Sequence, residues 1–272
     1  DWFDEKSVVT AMALMLCGWP VGIAIALATL GPLAETWGWQ PIMHLTAVVC
    51  ILAVVTVWLG YRPPPGSKTS TGGRMGFHMP RRELKMVLYA GLVWTVYNLA
   101  YFSIISFGPA LLLERGLDVA AAGAAISLAS WAALPALPLG GYLADRTGRP
   151  DLVLGISCIL AAGAAALLPM TDHPYLLCAI VGLFAAAPAG LIMGRAISLM
   201  SPPHRAQGNA ILYTFFYGGM GLIPSVVGWG ADVTGTAATP LYFSASALLL
   251  SVPLFLVLHA MASRLSVERA AV

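Results

Sequence analysis

Charge is what this sequence has least of. Among its 272 residues, 14 are Lys or Arg and 12 are Asp or Glu, so only 10% are charged while 59% are hydrophobic. A soluble globular domain carries about 25% charged residues. The composition therefore excludes a water-soluble globule and places the chain in a lipid bilayer.

Alternating apolar and polar segments are also missing, and this decides which secondary structure crosses the bilayer. A strand of a membrane barrel alternates over about ten residues. An open strand leaves backbone groups at its edge unsatisfied in lipid. The sequence therefore predicts that helices cross the membrane.

Residue sets for catalysis, metal binding or disulfide bonding are absent from the sequence as well. None of the five histidines stands at ligand spacing from another, and no nucleophile is clustered with a base. The cysteines lie singly in apolar segments without CxxC spacing, at Cys17, Cys50, Cys158 and Cys178. We expect no enzyme, no metal and no cofactor.

The charges that are present cluster and leave long apolar gaps between them. Each gap has room for about 20 helical residues, enough to cross about 30 Å of hydrocarbon. The gaps predict an all-α membrane protein with eight helices, over residues 8–30, 41–61, 86–113, 119–143, 152–168, 175–200, 207–231 and 241–261.

Basic residues fall almost entirely on one side of the predicted helices. Twelve lie on the side that contains residues 145–151, against Arg115 alone on the other. The excess of Lys and Arg marks the cytoplasmic side, and an even helix count then puts both termini there. The twelve are Lys6, Arg62, Lys68, Arg74, Arg81, Arg82, Lys85, Arg146, Arg149, Arg205, Arg264 and Arg269. The positive charge thus reports topology and gives no reason to expect nucleic acid as a partner.

A polar segment and a short repeat divide the chain. Residues 62–85 contain three consecutive prolines followed by Gly, Ser, Thr and Lys, a composition typical of linkers. A shift of 197 residues aligns 31–38 with 228–235, and both copies fit Gly-x-x-Ala-acid-x-x-Gly at the outer end of a helix. This alignment relates the first helix pair to the last.

The charged segment at 141–149 reads Gly-Tyr-Leu-Ala-Asp-Arg-Thr-Gly-Arg and separates two apolar runs. It resembles the signature Gly-x-Leu-Ala-Asp-Arg-x-Gly-Arg-(basic) of the major facilitator superfamily, which lies between the second and third helices of each half. Pro150 replaces the final basic residue.

This resemblance implies two six-helix halves, of which the chain holds the last eight helices. Residues 1–61 would be the last two helices of the first half, 62–85 a cytoplasmic linker, and 86–272 the complete second half. Four further helices are then expected before Asp1, as partners of those in the chain.

In the superfamily, the first and fourth helices of each half line a central cavity. The resemblance thus makes polar and aromatic residues of helices 86–113 and 175–200 candidates for contact with substrate, together with two tyrosines of helix 207–231. They are Trp94, Tyr97, Asn98, Tyr101, Arg195, Tyr213 and Tyr217. Two alternatives stay open. The stripe on helix 86–113, formed by Trp94, Tyr97, Asn98 and Tyr101, packs against other helices, and Arg195 reaches lipid phosphates or forms a structural ion pair.

The residues of the signature segment also suit a structural role at the end of a helix. Its glycines permit a tight turn, Asp145 can accept hydrogen bonds at a helix end, and its arginines can pair with carboxylates or phosphates. We predict that it latches the two halves together, with Asp145 near the helix start around Ser7; the alternative is a topology anchor only. The residues concerned are Gly141, Asp145, Arg146, Gly148 and Arg149.

The predicted function is a secondary transporter in the cell membrane that moves a small solute, an organic anion or another metabolite, by rocking of two halves. The alternative is a non-transporting receptor or scaffold of the same fold, or an inactive truncated transporter. No Asp or Glu falls inside the predicted helices. Any carboxylate that couples transport to an ion is therefore expected outside this chain.

Overall fold

The computed structural model describes residues 5–62 and 79–270, and the side chains of 17–62, 79–201 and 203–264. This part of the chain is helical and holds no strand. Its helices are α1 (Glu5–Trp37), α2 (Trp39–Gly60), α3 (Arg81–Glu114), α4 (Val119–Thr147), α5 (Pro150–Leu167), α6 (Pro174–Ala186), α7 (Ala189–Ser198), α8 (Arg205–Thr234) and α9 (Thr239–Ala270), with a short 3-10 turn at Pro202–His204. Most of the predicted linker, residues 63–78, lies outside the described residues.

Eight membrane-length segments are present among the described residues, as the charge spacing predicts. Seven of them are single helices. The eighth, Pro174–Ser198, is broken into α6 and α7 at Ala187 and Pro188. Proline has no N–H and its ring clashes with the preceding turn, so the break falls where the sequence places Pro188.

Six of these spans, from α3 to α9, pack into one core. α3 lies against α8 and α9, α4 against α6, and α5 against α6 and α9. α1 packs against α2 and α4. The first two helices therefore join the rest of the described structure mainly through the contact of α1 with α4, to which Trp19 of α1 adds ring contacts with α3.

Glycines allow the closest helix crossings. A Cβ on Gly182 would collide with the carbonyl of Ala129, and one on Gly140 with the carbonyl of Ala187. A Cβ on Gly123 of α4 would collide with the carbonyl of Leu27 in α1. Small residues at helix interfaces bring backbones together in this way, because helices in lipid associate through close packing.

Both copies of the repeat end a helix at a glycine. Gly38 follows α1 with φ of 81°, and Gly235 follows α8 with φ of 68°. The N–H of Gly38 donates to the carbonyl of Ala34 at 2.9 Å, and that of Gly235 to the aligned Ala231 at 2.8 Å. The backbone then turns differently, since ψ is 165° at Gly38 and 23° at Gly235. The two ends therefore share a residue that tolerates positive φ and one hydrogen bond.

The opposite ends of the helix bundle differ in charge. The hairpin end, where α4 passes into α5, contains Gly148 and Arg149. At the far end, where α3 passes into α4, Arg115 donates to the carbonyl of Leu168 at 2.9 Å and to Asp172 at 2.8 Å. The single basic residue predicted on this side is thus held by an acidic loop.

Candidate functional site

The stripe on α3 is mostly buried, and its two tyrosines reach neighbouring helices. The hydroxyl of Tyr97 donates to the carbonyl of Ala185 in α6. The hydroxyl of Tyr101 lies 3.4 Å from that of Ser130 in α4. Both hydroxyls therefore hydrogen-bond between helices, while their rings remain part of a larger aromatic group.

That group, called here the aromatic cluster, joins rings from α1, α3 and α8 through successive contacts. Its members are Trp19, Trp94, Tyr97, Tyr101, Phe102, Tyr213, Phe216 and Tyr217. The Trp19 and Phe102 centroids are 5.1 Å apart in an edge-on contact, and those of Phe102 and Phe216 are 6.0 Å apart. These separations are those of favourable aromatic pairs. The cluster thus contains five of the seven predicted cavity residues, and Asn98 lies one turn from Trp94 on α3 and contributes an amide.

The cluster has a buried layer and an open layer. Tyr97 and Phe216 are only 3% and 8% exposed. Trp19, Tyr213 and Tyr217 are 46%, 40% and 66% exposed. The open layer offers aromatic surface to whatever occupies the space beside α1, α3 and α8.

Two polar groups of the cluster region are not fully satisfied. The Trp94 Nε1–H is buried and has no acceptor among the described residues. Asn98, one turn further along α3, donates through Nδ2 to the Trp94 carbonyl at 2.7 Å, and no described group donates to its Oδ1. A buried donor without a partner costs about 1–3 kcal/mol. The pair therefore presents one donor and one acceptor with unused capacity.

Arg195 lies elsewhere in the structure. Its guanidinium and Asp151 of α5 are both within electrostatic reach of the His259 imidazole of α9. Within the described part of the chain, no cation–π contact joins Arg195 to the aromatic cluster. The structure therefore places the predicted cavity arginine among α5, α7 and α9, away from the predicted tyrosines.

The signature segment is more helical than the sequence suggests. The predicted end of the helix at residue 143 is wrong, because α4 continues to Thr147 and carries Gly141, Asp145 and Arg146 in its last two turns. Gly148, with φ of 65°, ends the helix, and Arg149 leads into Pro150 of α5. Arg146 donates to the Tyr142 hydroxyl at 2.7 Å. Asp145 is exposed and forms no hydrogen bond with another described residue. Its predicted neighbour is Ser7, whose side chain is not among those described, so the predicted contact stays a prediction.

Comparison with known proteins gives the family. A model of the Major Facilitator Superfamily matches residues 1–113 and 91–270. The chain belongs to the Major Facilitator Superfamily. The signature resemblance at 141–149 is thereby confirmed at the level of the family.

Two curated proteins resemble the chain along much of its length. A protein named "Putative tartrate transporter" from Agrobacterium vitis is 24% identical over 287 residues, covering 94% of this chain and 64% of the relative. A 3-(3-hydroxy-phenyl)propionate transporter from Escherichia coli (strain K12) is 30% identical over 208 residues, covering 73% of this chain and 50% of the relative. The chain thus spans between half and two thirds of the length of these relatives.

A second polar group went unnoticed in the sequence. Glu83 is buried in the first turn of α3 and accepts hydrogen bonds from the Ser201 N–H at 2.6 Å and the Ser201 hydroxyl at 2.9 Å. Its other carboxylate oxygen lies 2.8 Å from Nδ1 of His204. The predicted start of this helix at residue 86 is therefore wrong, because α3 begins at Arg81 and takes in Glu83, which the composition assigned to the linker.

This Glu83 group ties the start of α3 to the connection between α7 and α8. It does not have the arrangement of a nucleophile relay, in which one imidazole nitrogen contacts the serine and the other contacts the acid. Here Nδ1 of His204 lies 2.9 Å from the Ser201 hydroxyl and also faces Glu83. The geometry is that of a tie between segments.

Proposed function

We propose that the chain is part of a secondary transporter that carries a small organic anion across a membrane by alternating access. The observation that carries this proposal is the family match, whose two stretches include all eight spans. Members of this superfamily expose one central site to the two sides of the membrane in turn. The aromatic cluster, between α1 and the core of α3 to α9, is the proposed wall of that site.

The proposal divides the chain into parts of two halves, with α1 and α2 (residues 1–61) in the first, 62–85 as linker and 86–272 as the second. Two features support this division. The repeat ends both α1 and α8 at a glycine with positive φ, and α1 is the helix through which the first pair contacts the core. A Cβ on Gly31 would lie 2.8 Å from Cγ1 of Val119, and Gly123 touches Leu27, both near the far end.

The proposed location is the cell membrane, with the hairpin end and both termini in the cytoplasm. The support is the distribution of Lys and Arg, which favours the cytoplasmic side. The proposed partners are a small-molecule substrate, the bilayer, a coupling ion, and four helices of the same protein that precede the present eight. No nucleic acid is among them.

An anionic substrate is proposed because both relatives are named for carboxylates, one aliphatic and one aromatic. Arg195 is retained as a site residue only in an indirect sense. Since it lies near Asp151 and His259, we assign it to support of α7 and not to contact with the anion.

Flux into proteoliposomes tests the proposed function. Vesicles are prepared with the 272-residue chain, with a product extended upstream of Asp1, and without protein, and uptake of radiolabelled tartrate and of 3-(3-hydroxyphenyl)propionate is measured. Uptake above the protein-free vesicles in either preparation supports transport. Saturable binding without uptake in both preparations would instead favour the receptor or scaffold alternative, and neither binding nor uptake of any small carboxylate would contradict the proposal.

A further inference from the structure

We infer that the aromatic cluster binds the ring of a hydroxylated aromatic carboxylate, so that the substrate is an aryl acid and not a compact polyhydroxylated dianion. This inference rests on the proposed function, because it names the substrate class of the same site. It follows from three properties of the cluster: the rings it exposes, the charge it lacks and the polar atoms it leaves unused.

The first property is the open aromatic layer. Tyr213 and Tyr217 of α8 stack at 6.2 Å with an interplanar angle of 25°, and Tyr217 contacts Phe216 at 4.9 Å. Trp19 of α1 joins the cluster through its contacts with Tyr101 and Phe102 of α3. A planar ligand ring can make offset or edge-on contacts with each of these faces, and aromatic pairs gain affinity beyond the area they bury.

The second property is the absence of charge around these rings. In the sequence, the stretches that carry them, residues 7–34, 86–113 and 206–231, contain no Asp, Glu, Lys or Arg. A tartrate-like dianion has a carboxylate at each end, and against these three helices neither carboxylate would find a counter-ion, which is unfavourable. An aryl acid needs to bury only its ring and can keep its single carboxylate at the open side.

The third property is the unused hydrogen-bonding capacity beneath the rings. The Trp94 Nε1–H needs an acceptor and the Asn98 Oδ1 can take a donor. A hydroxyl group offers both an acceptor and a donor and is neutral, so it suits this pair better than a carboxylate does. A quaternary ammonium, which aromatic rings also attract, has no acceptor to offer to Trp94.

Two successive ring contacts connect Trp94 to the exposed layer of the aromatic cluster. Trp94 contacts Phe216 at 6.3 Å, and Phe216 contacts the exposed Tyr217. Because Trp19 belongs to the proposed first half and the other rings to the second, the same ligand contacts both halves.

Competition binding in detergent tests the substrate class. The unmodified chain and its upstream-extended product are saturated with radiolabelled 3-(3-hydroxyphenyl)propionate, and 3-phenylpropionate, tartrate and tetramethylammonium compete for the site. We expect the hydroxylated acid to bind most tightly and tartrate and tetramethylammonium to bind at least about tenfold more weakly. Equal or tighter binding of tartrate or tetramethylammonium would overturn the inference.

Variants locate the site. Trp19→Ala and Tyr217→Ala are each expected to weaken binding of both aryl acids by about two- to tenfold, the effect of one aromatic contact. Trp229→Ala is the matched control, since Trp229 is exposed on α8 and has no ring contact within the described residues. Trp94→Phe keeps a ring and removes the N–H, so it should abolish the preference for the hydroxylated acid over 3-phenylpropionate.

The outcomes separate the inference from the function on which it rests. Uptake of tartrate without binding of either aryl acid would overturn the substrate class and leave the transporter proposal standing. Aryl-acid binding unchanged in Trp19→Ala, Tyr217→Ala and Trp94→Phe, with each variant still monodisperse on gel filtration, would also overturn it. Absence of binding and uptake for every carboxylate would contradict both proposals together.

Discussion

Single residues in this protein show how far their chemistry depends on neighbours from distant parts of the sequence. Arg195 is the one basic residue in the interior of a predicted span, and from sequence it is equally suited to a substrate or to a structural partner. Together with Asp151 it acts electrostatically on the His259 imidazole, and these two residues stand 44 and 64 residues away along the chain. The helical pattern could not predict them, because it fixes which face Arg195 occupies and not which helix covers that face.

Replacement of Arg195 separates these roles. Arg195→Gln is expected to lower the melting temperature of the purified protein by a few degrees, because it shortens a half-buried side chain and removes its charge. Arg195→Lys keeps the charge and should lie between wild type and Arg195→Gln. The affinity for carboxylates should be unchanged in both. A loss of affinity without a loss of stability would show that Arg195 contacts the anion.

Replacement of Asp145 tests the prediction that the signature segment latches the two halves together. Because the side chain is exposed, Asp145→Asn is expected to change the free energy of unfolding by no more than about 0.5 kcal/mol. If the latch exists, the substitution should shift the accessibility of engineered cysteines toward the conformation open at the hairpin end. Unchanged accessibility and unchanged uptake in the upstream-extended protein would leave Asp145 as a topology anchor.

At the scale of elements, the sequence predicts which segments are helices better than it predicts where they end. Eight spans follow from charge spacing, yet α4 runs four residues beyond its predicted end and α3 begins five residues earlier than predicted. Both differences have a local reason. The αL glycine at 148 ends α4, and the Glu83 tie stabilises a first turn of α3 that composition alone assigns to a linker.

The Glu83 tie should contribute measurably to stability. Glu83→Gln removes the charge that accepts hydrogen bonds from Ser201 and faces His204, and we expect it to lower the free energy of unfolding by about 1–3 kcal/mol. Glu35→Gln, at an exposed position on α1, is the control and should have little effect. Equal melting temperatures of the two variants would show that the tie adds nothing to stability.

At the scale of the whole molecule, the contact of α1 with α4 joins the first helix pair to the core of α3 to α9. At that contact Gly123 approaches a backbone oxygen of Leu27, so a side chain at 123 would meet an atom that cannot rotate away. The close approach of these helices is a tertiary feature: the sequence shows a glycine in an alanine-rich stretch, but gives no sign that the partner is the first helix. Family resemblance predicts the architecture, and only the folded chain shows the surface on which its parts meet.

Gly123→Val is expected to separate α1 from α4 at the far end. In the upstream-extended protein, this should increase labelling of a cysteine introduced near the far end and reduce uptake, while the core of α3 to α9 remains folded. Gly163→Val in α5 is the matched control, because a Cβ there meets nothing within 4 Å. Similar labelling and uptake in the two variants would show that this crossing does not govern access.

The glycines that end α1 and α8 also bear on how the protein reaches the membrane. Gly38 is followed at once, and Gly235 after three residues, by a helix that returns through the bilayer. Each of these helix pairs leaves only a short turn to be carried across the hydrocarbon. During synthesis, α1 with α2 and α8 with α9 are therefore suited to enter the bilayer as helical hairpins.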